Sequence, residues 1–356
     1  MAPGILRRPL RRALEQVRHV APVQPGAARG TVAAVYAQVE RDFGMLAPPV
    51  ALHSPAPGPL AASWVMLRET LVAAGIAERA DKEAAAAAVS RANRCPYCVA
   101  VHGATLGALS SPAAAAAVAD GRWGRVGDPG RERIARWAAG EAPAPPLAPG
   151  ALAELTGVVL TFHYLNRMVN VFLGDGPLPA RVPRRAHGPM MRLLGRLAGA
   201  AARGGPPPGA ALPLLPPAPP PPDLAWAADA PPVADALARA AAAVEAGAAG
   251  AVPGPVRELV RARLRAWDGR PPGLDRGWAA RAAADLAPDE RPAARLALLT
   301  ALASYQVGPA DIAEWRRERA GDRELIEITA WTSLTAARRI AQGMPAGSGT
   351  SRGPLI

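Results

Sequence analysis

The chain is short of cysteine, lysine and aromatic side chains. Its 356 residues include two cysteines, and only 4% of them are aromatic. Two cysteines cannot form a disulfide scaffold of the kind that stabilises small secreted domains. Lys82 is the single lysine, so the net charge of +12 comes from arginines. These are scattered along the chain and are not interleaved with aromatic residues, which argues against a nucleic-acid-binding protein.

Long uninterrupted apolar segments are also absent. The most apolar stretch, 150–174, still contains polar and charged side chains, among them Glu154, His163, Asn166 and Arg167. This pattern predicts a buried amphipathic helix rather than a membrane span. Near the N-terminus, Glu15 and Arg18 interrupt what would have to be the apolar part of a signal peptide. We therefore expect a soluble, cytoplasmic protein.

Alanine, in contrast, is abundant, and it has the highest helix propensity of the amino acids. Apolar residues recur at three- and four-residue spacing, which indicates amphipathic helices. In the first half this pattern predicts helices over 31–43, 61–74, 81–93, 96–109, 112–119, 129–139 and 151–173. In the second half it predicts helices over 231–248, 254–267, 276–285, 289–303, 308–319 and 322–342. The expected fold is all-α.

A proline-rich segment divides the chain. Ten of the 17 residues from 206 to 222 are proline, so this segment predicts an extended, polyproline-like spacer, preceded by a short helix near 190–197. The predicted organisation has five parts: an N-terminal arm (1–30), a catalytic helical domain (31–175), a proline-rich linker (176–223), a second helical domain (224–344) and a disordered tail (345–356).

One motif points to chemistry, the sequence Cys95-Pro96-Tyr97-Cys98 with His102 four residues further on. Both cysteines and His102 fall on one face of the helix that Pro96 is expected to begin. The thiols lie in its first turn, where unpaired backbone N–H groups and the helix dipole favour a thiolate and a lowered thiol pKa. His102 can exchange a proton with Cys98. The motif therefore predicts a redox couple in which one sulfur attacks and the other resolves.

Other interpretations of this motif are a zinc site, a thioredoxin-like site and a pair of inert core cysteines. A structural zinc ion needs four ligands, but the chain has no third cysteine and its remaining histidines lie at no ligand spacing. A thioredoxin-like motif follows a β-strand, whereas the preceding segment, 82–93, is alanine-rich and predicts a helix. His19, His53 and His187 are expected at the surface. His163, Asn166 and Arg167 are expected to form a structural polar network or to line a cavity.

Four residues of the chain are spaced as in the signature of a known family. Glu83, Cys95, Cys98 and His102 follow the signature of AhpD-like alkylhydroperoxidases, in the carboxymuconolactone decarboxylase superfamily, and 164–174 (YLNRMVNVFLG) is similar to the same superfamily. The resemblance implies an all-α fold and peroxide reduction without metal, haem or flavin. It also implies that Cys98 is the peroxidatic thiol, that Cys95 is the resolving thiol, and that Glu83 helps to relay protons.

The same resemblance implies partners. An external dithiol, of lipoyl or thioredoxin type, would reduce the Cys95–Cys98 disulfide, and the chain would assemble into a homo-oligomer. Tyr97 is a departure, because family members can carry histidine between the cysteines. The alternative function is a non-enzymatic redox-sensing or scaffold protein that is switched by the disulfide.

The two halves also show a weak internal repeat. Aligning Gly174 with Gly343 brings two long apolar helices into register. If the second half is a copy of the first, its motif region is expected near 302–307, where Ser304 and Val307 would occupy the cysteine positions and Asp311 the histidine position. The second domain is therefore interpreted as a degenerate, non-catalytic copy of the first.

Overall fold

The computed structural model describes residues 12–178, 182–269, 272–273, 275–318 and 321–344. Every regular element within these ranges is a helix, which confirms the expected all-α fold. The predicted disordered tail and the first eleven residues of the N-terminal arm lie outside the described residues. Among the helices of the described ranges, none has both the length and the apolar character that a membrane crossing requires.

Proline begins many of the helices, because its missing N–H has no intrahelical partner in the first turn. The first half contains α1 (Gly30–Asp42), α2 (Pro48–Ala51), α3 (Pro57–Leu67), α4 (Arg79–Ala92), α5 (Pro96–Leu109), α6 (Pro112–Asp120), α7 (Pro129–Ala138), α8 (Pro149–Phe172) and α9 (Arg184–Ala202). The second half contains α10 (Pro231–Ala251), α11 (Gly254–Ala266), α12 (Trp278–Ala282), α13 (Arg291–Ala303), α14 (Pro309–Glu318) and α15 (Asp322–Ala341).

Helix α2 was not predicted from the sequence, and three other helices differ in extent from the predicted ones. Helix α3 begins earlier than expected, at Pro57, and continues into a wide π-helical turn, Arg68–Val72. Helix α12 is shorter than expected. Helix α9 is longer, because it continues through Pro189, where a proline removes one backbone hydrogen bond without ending the helix.

Helix α8 lies at the centre of the molecule and is buried along almost its whole length. Helices α3 and α4 pack against it from the first half, and α15 packs against it from the second half. Buried side chains of both halves consequently form one continuous hydrophobic core. The boundaries drawn between two domains stay a prediction.

The proline-rich segment 206–222 lies against the first half instead of extending as a free spacer. Buried Glu69, in the wide turn after α3, accepts hydrogen bonds from the backbone N–H groups of Gly209 (2.6 Å) and Ala211 (3.0 Å). A carboxylate that is removed from water requires such donors. This requirement explains why the segment is held in place.

The helix pair α13–α14 resembles the pair α4–α5 in its connection, because Pro96 and Pro309 each begin the second helix of a pair. Counting from these two prolines, Gly308 and Asp311 occupy the cysteine positions and Trp315 occupies the histidine position. This assignment differs from the one expected from the sequence, which placed Ser304 and Val307 at the cysteine positions. Neither assignment puts a thiol there. The duplication itself stays a prediction.

Helix α9 packs closely on α5, the helix that carries the cysteine motif. The contact depends on two glycines spaced one turn apart. A Cβ atom at Gly199 would lie 2.8 Å from the Cβ of Ala108, and one at Gly195 would overlap the carbonyl oxygen of Ala104. The absence of side chains at these two positions therefore allows α9 to cover α5.

We expect Gly195→Ala to lower the free energy of unfolding by about 1–3 kcal/mol, because the added methyl group forces α9 away from α5. Gly103→Ala is the matched control, since no heavy atom lies within 4 Å of a Cβ atom at this α5 position. That variant should be stabilised by up to about 1 kcal/mol through its higher helix propensity. Denaturant titration measures both changes, and equal effects would show that the helix contact does not depend on Gly195.

Candidate active site

The cysteine motif lies where the chain turns from α4 into α5. Cys95 is the residue directly before the helix, and Cys98 lies in its first turn. Their Sγ atoms are 2.7 Å apart, and both thiols are free and buried. Arg94 has a φ of 52°, in the left-handed region that non-glycine residues rarely adopt, and its guanidinium lies 4.7 Å from the ring centroid of Tyr305. A residue of the second half therefore contacts the turn that presents the thiols.

Glu83 and His102 meet although they are 19 residues apart. The crossing of α4 and α5 places Glu83 Oε2 2.7 Å from His102 Nδ1. The second carboxylate oxygen, Oε1, accepts hydrogen bonds from Arg79 Nε and Nη2 at 2.9 and 2.8 Å. Only 1% of Glu83 is exposed. The carboxylate thus lies between a guanidinium and an imidazole, away from water.

These contacts determine the charge on Glu83 and the orientation of His102. Burial alone raises the pKa of Glu83, but the charges and hydrogen bonds of Arg79 and His102 outweigh it and hold the pKa below its usual value. The ionised carboxylate is an acceptor only, so His102 Nδ1 carries a proton. In a neutral imidazole the other nitrogen, Nε2, is then the proton acceptor.

The protonation of Cys98 differs from the sequence-based prediction. Burial raises the pKa of the Cys98 thiol well above its usual value, and the adjacent Cys95 adds to this rise. Only the hydrogen bond from the side chain of Asn166 lowers the Cys98 pKa. The predicted lowering at the helix N-terminus is therefore wrong for Cys98, because removal from water outweighs the helix dipole. The thiol needs a base to lose its proton.

Asn166, which hydrogen-bonds to Cys98, belongs to a polar network formed by α8 and the C-terminal end of α4. Asn166 donates from Nδ2 to Ser90 Oγ (3.1 Å), and its Oδ1 accepts from Asn93 Nδ2 (3.0 Å). Asn93 also lies 3.0 Å from His163 Nδ1. This network matches the one expected for His163, Asn166 and Arg167, but Ser90 and Asn93 were missed. The available signal was the spacing of Ser90, seven residues after Glu83 and hence on the same face of the alanine-rich helix.

Two aromatic residues complete the site. Phe162 approaches His102 edge-on, with the ring centroids 4.4 Å apart, and limits the movement of the imidazole. Tyr97 is buried, and its pKa is raised, first by burial and then by the charges of the two cysteines. Tyr97 therefore stays a neutral phenol next to the thiols.

His53 lies in the core, so the prediction that it lies at the surface is wrong. It is fully buried, and its Nε2 lies 2.9 Å from the Tyr164 hydroxyl. Burial lowers the pKa of His53 to about 4, so the imidazole is neutral near pH 7. Among the described residues, no three histidine, cysteine, aspartate or glutamate side chains are grouped closely enough to hold a metal ion.

Comparisons with known proteins agree with this arrangement. The pattern of the carboxymuconolactone decarboxylase family matches residues 59–139, which include α4 and α5. An alkyl hydroperoxide reductase of Mycobacterium tuberculosis (strain ATCC 25618 / H37Rv) is 39% identical over 328 residues, which cover 91% of this chain and 94% of the relative. No solved structure matches the chain. The chain belongs to the carboxymuconolactone decarboxylase family, which confirms the resemblance found in its sequence.

Glu83→Gln should reduce the dependence of stability on pH. Because the folded-state pKa of Glu83 lies below the ordinary value of 4.5, the carboxylate stabilises the fold above that value. This contribution is lost as the pH falls through the lowered pKa. Between about pH 6 and about pH 3, the wild type should lose more free energy of unfolding than the variant in denaturant titrations. Glu132→Gln, at a partly exposed position on α7, is the control and should behave like the wild type.

Asn166→Ala should raise the Cys98 pKa further, because it removes the hydrogen bond that favours the thiolate. In a Cys95→Ser background, the midpoint of the pH dependence of Cys98 alkylation by iodoacetamide should move to higher pH by roughly 0.5–1 pH unit. Ser90→Ala is the matched control, since it removes another partner of Asn166 but leaves the bond to Cys98. An unchanged alkylation profile for Asn166→Ala would contradict the role of this side chain.

Proposed function

We propose that the chain is a thiol-dependent peroxidase of the alkylhydroperoxidase type, with Cys98 as the peroxidatic thiol and Cys95 as the resolving thiol. The observation that carries this proposal is the pair of sulfurs 2.7 Å apart, at the start of the helix that also holds His102 bound to Glu83. The name of the Mycobacterium tuberculosis relative, alkyl hydroperoxide reductase, supports a hydroperoxide as the substrate.

His102 is the general base in this proposal. It follows Cys98 by four residues on α5, the spacing that brings two side chains to the same face of a helix. Its Nε2 accepts the thiol proton, and Glu83 stabilises the resulting imidazolium through Nδ1. Arg79 holds the carboxylate in position. A positioned general base commonly contributes about 10²–10⁴-fold to a rate, and a thiol kept protonated by burial depends on such a base.

The chemistry proceeds in three balanced steps. The Cys98 thiolate attacks the terminal oxygen of the hydroperoxide, the O–O bond breaks, and the proton held by His102 leaves with the alcohol. Cys98 is thereby oxidised to a sulfenic acid. The Cys95 thiol then attacks this sulfur, forming the Cys95–Cys98 disulfide and releasing water. An external dithiol reduces the disulfide by exchange through a mixed disulfide and is itself oxidised.

The short sulfur–sulfur distance supports the resolving role of Cys95, because the sulfenic acid forms next to the thiol that captures it. A lipoyl or thioredoxin-type dithiol is proposed as the donor, since the chain has no third cysteine. The homo-oligomer and the cytoplasmic location stay predictions. Light scattering at micromolar concentration tests the first of these through the molecular mass.

Peroxide turnover with a supplied dithiol tests the proposal on the wild type, Cys98→Ser and Cys95→Ser. The wild type should turn over many equivalents of an alkyl hydroperoxide. Cys98→Ser should be inactive and should form no sulfenic acid. Cys95→Ser should form a sulfenic acid that a dimedone probe traps, without sustained turnover. Circular dichroism of each variant controls for folding.

Two outcomes would contradict the proposed peroxidase function. A wild type that consumes one equivalent and then stops, in the presence of dithiol, indicates a redox-sensing protein. Turnover that persists in Cys98→Ser assigns the attack to another group. His102→Ala separates base catalysis from packing, because a base predicts a slower reaction near neutral pH with an intact fold.

A further inference from the structure

Arg167 is a buried cation that has no counter-ion among the residues that the structure describes. It lies on α8, is 4% exposed, and forms no ion pair with any carboxylate of the described residues. Its donors reach neutral acceptors: Nε bonds to the carbonyl oxygen of Ala301 at 3.0 Å, and Nη1 bonds to the carbonyl oxygen of His163 at 2.8 Å and to Asn93 Oδ1 at 3.3 Å. Buried charges in folded proteins are ordinarily paired.

Other buried charges of this protein follow that rule. Arg68 pairs with Asp42 and with Glu69, at 2.6 and 2.7 Å, and the single lysine, Lys82, pairs with Glu154 at 3.1 Å. Against this background Arg167 is an exception. Burial also lowers the pKa of Arg167, to about 10, but this leaves the guanidinium charged near neutral pH. An unpaired charge in such a place points to an anion that binds there.

A cavity adjoins Arg167. Its volume is about 40 Å³, and it lies between α8, the end of α4, the end of α13 and the chain after α11. One water molecule needs roughly 10–15 Å³ of such space, so a carboxylate group fits, and because the cavity is open on one side a longer hydrocarbon chain can extend out of it. The described residues that line the cavity include no aspartate or glutamate. Nothing in its described lining therefore neutralises the guanidinium.

The rest of the lining suits an anion that carries an apolar group. Ser304 accepts a hydrogen bond from Asn170 Nδ2 (3.0 Å), which leaves its own hydroxyl proton available. The hydroxyl of Tyr305 is buried and has no hydrogen-bond partner among the described residues. Trp267 and Leu302 are half-buried and add apolar surface. Hydroxyl donors and one cation at an apolar wall are the groups that recognise an organic carboxylate.

We propose that this cavity binds the carboxylate of a small organic acid, with Arg167 as its counter-ion and with Trp267 and Leu302 in contact with its hydrocarbon part. The site is separate from the thiols, and its existence does not depend on the proposed peroxidase activity. Asn93 nevertheless links the two, because it contacts Arg167 on one side and Asn166, the hydrogen-bond donor to Cys98, on the other.

Calorimetric titration of the full chain with sodium hexanoate tests the proposal. We expect binding of one hexanoate per chain, and no comparable binding of hexan-1-ol or of inorganic phosphate. Leu302→Asp and Leu302→Asn form a matched pair that differs in one negative charge at the cavity. The aspartate variant should bind hexanoate about tenfold more weakly than the asparagine variant, because its charge repels the ligand or occupies Arg167.

Arg167→Gln should abolish binding, and Arg167→Lys should retain part of it. The Leu302 pair keeps the test valid if the Arg167 variants do not fold, since both of its members leave the guanidinium intact. Equal binding of hexan-1-ol and hexanoate would overturn the proposal in favour of a purely apolar cavity. Equally strong binding of phosphate would indicate an inorganic-anion site. No binding of any probe to the wild type would leave Arg167 with a structural role only.

Discussion

A carboxylate buried in an alanine-rich core depends on its partners, and this constraint organises the candidate site. The five alanines at 84–88 give α4 a smooth surface, so neighbouring helices approach closely and exclude water from Glu83. The charge is then retained only because Arg79 and His102 bind its two oxygens. The Glu83 carboxylate thereby fixes the crossing of α4 and α5, the tautomer of the His102 imidazole and the direction in which a proton can move.

The same exclusion of water decides how the thiols behave. A helix N-terminus favours a thiolate, whereas burial opposes it, and burial prevails at Cys98. In the proposed mechanism His102 removes this proton, so the thiolate forms only when the base accepts it. Asn166 moderates this cost with one hydrogen bond to the thiol, and its own carbonyl oxygen accepts a hydrogen bond from Asn93. A resting thiol of this kind is protected against indiscriminate oxidation.

Local features of the sequence were sufficient to locate the helices and the motif. Prolines such as Pro96 and Pro309 fix helix starts by their own geometry, so these starts were predicted to within a residue or so. Contacts between helices were not accessible in this way. The pairing of Glu83 with His102 depends on a crossing angle, and the burial of His53 depends on where Tyr164 of α8 lies. The direction of the Cys98 pKa required both kinds of information, because helix position and burial act on it in opposite senses.

The packing of α8 against α15 has a consequence for how the chain is made. Helix α8 ends at Phe172 and the helix that covers it ends at Ala341, so roughly 170 residues must be synthesised in between. Because synthesis proceeds at about 5–20 residues per second, the apolar side of α8 stays uncovered for roughly 8–34 s before α15 has been synthesised. During that interval the cysteine motif is complete but the core around it is open. Aggregation and premature oxidation are therefore hazards of the nascent chain, and they end only when the last helix docks.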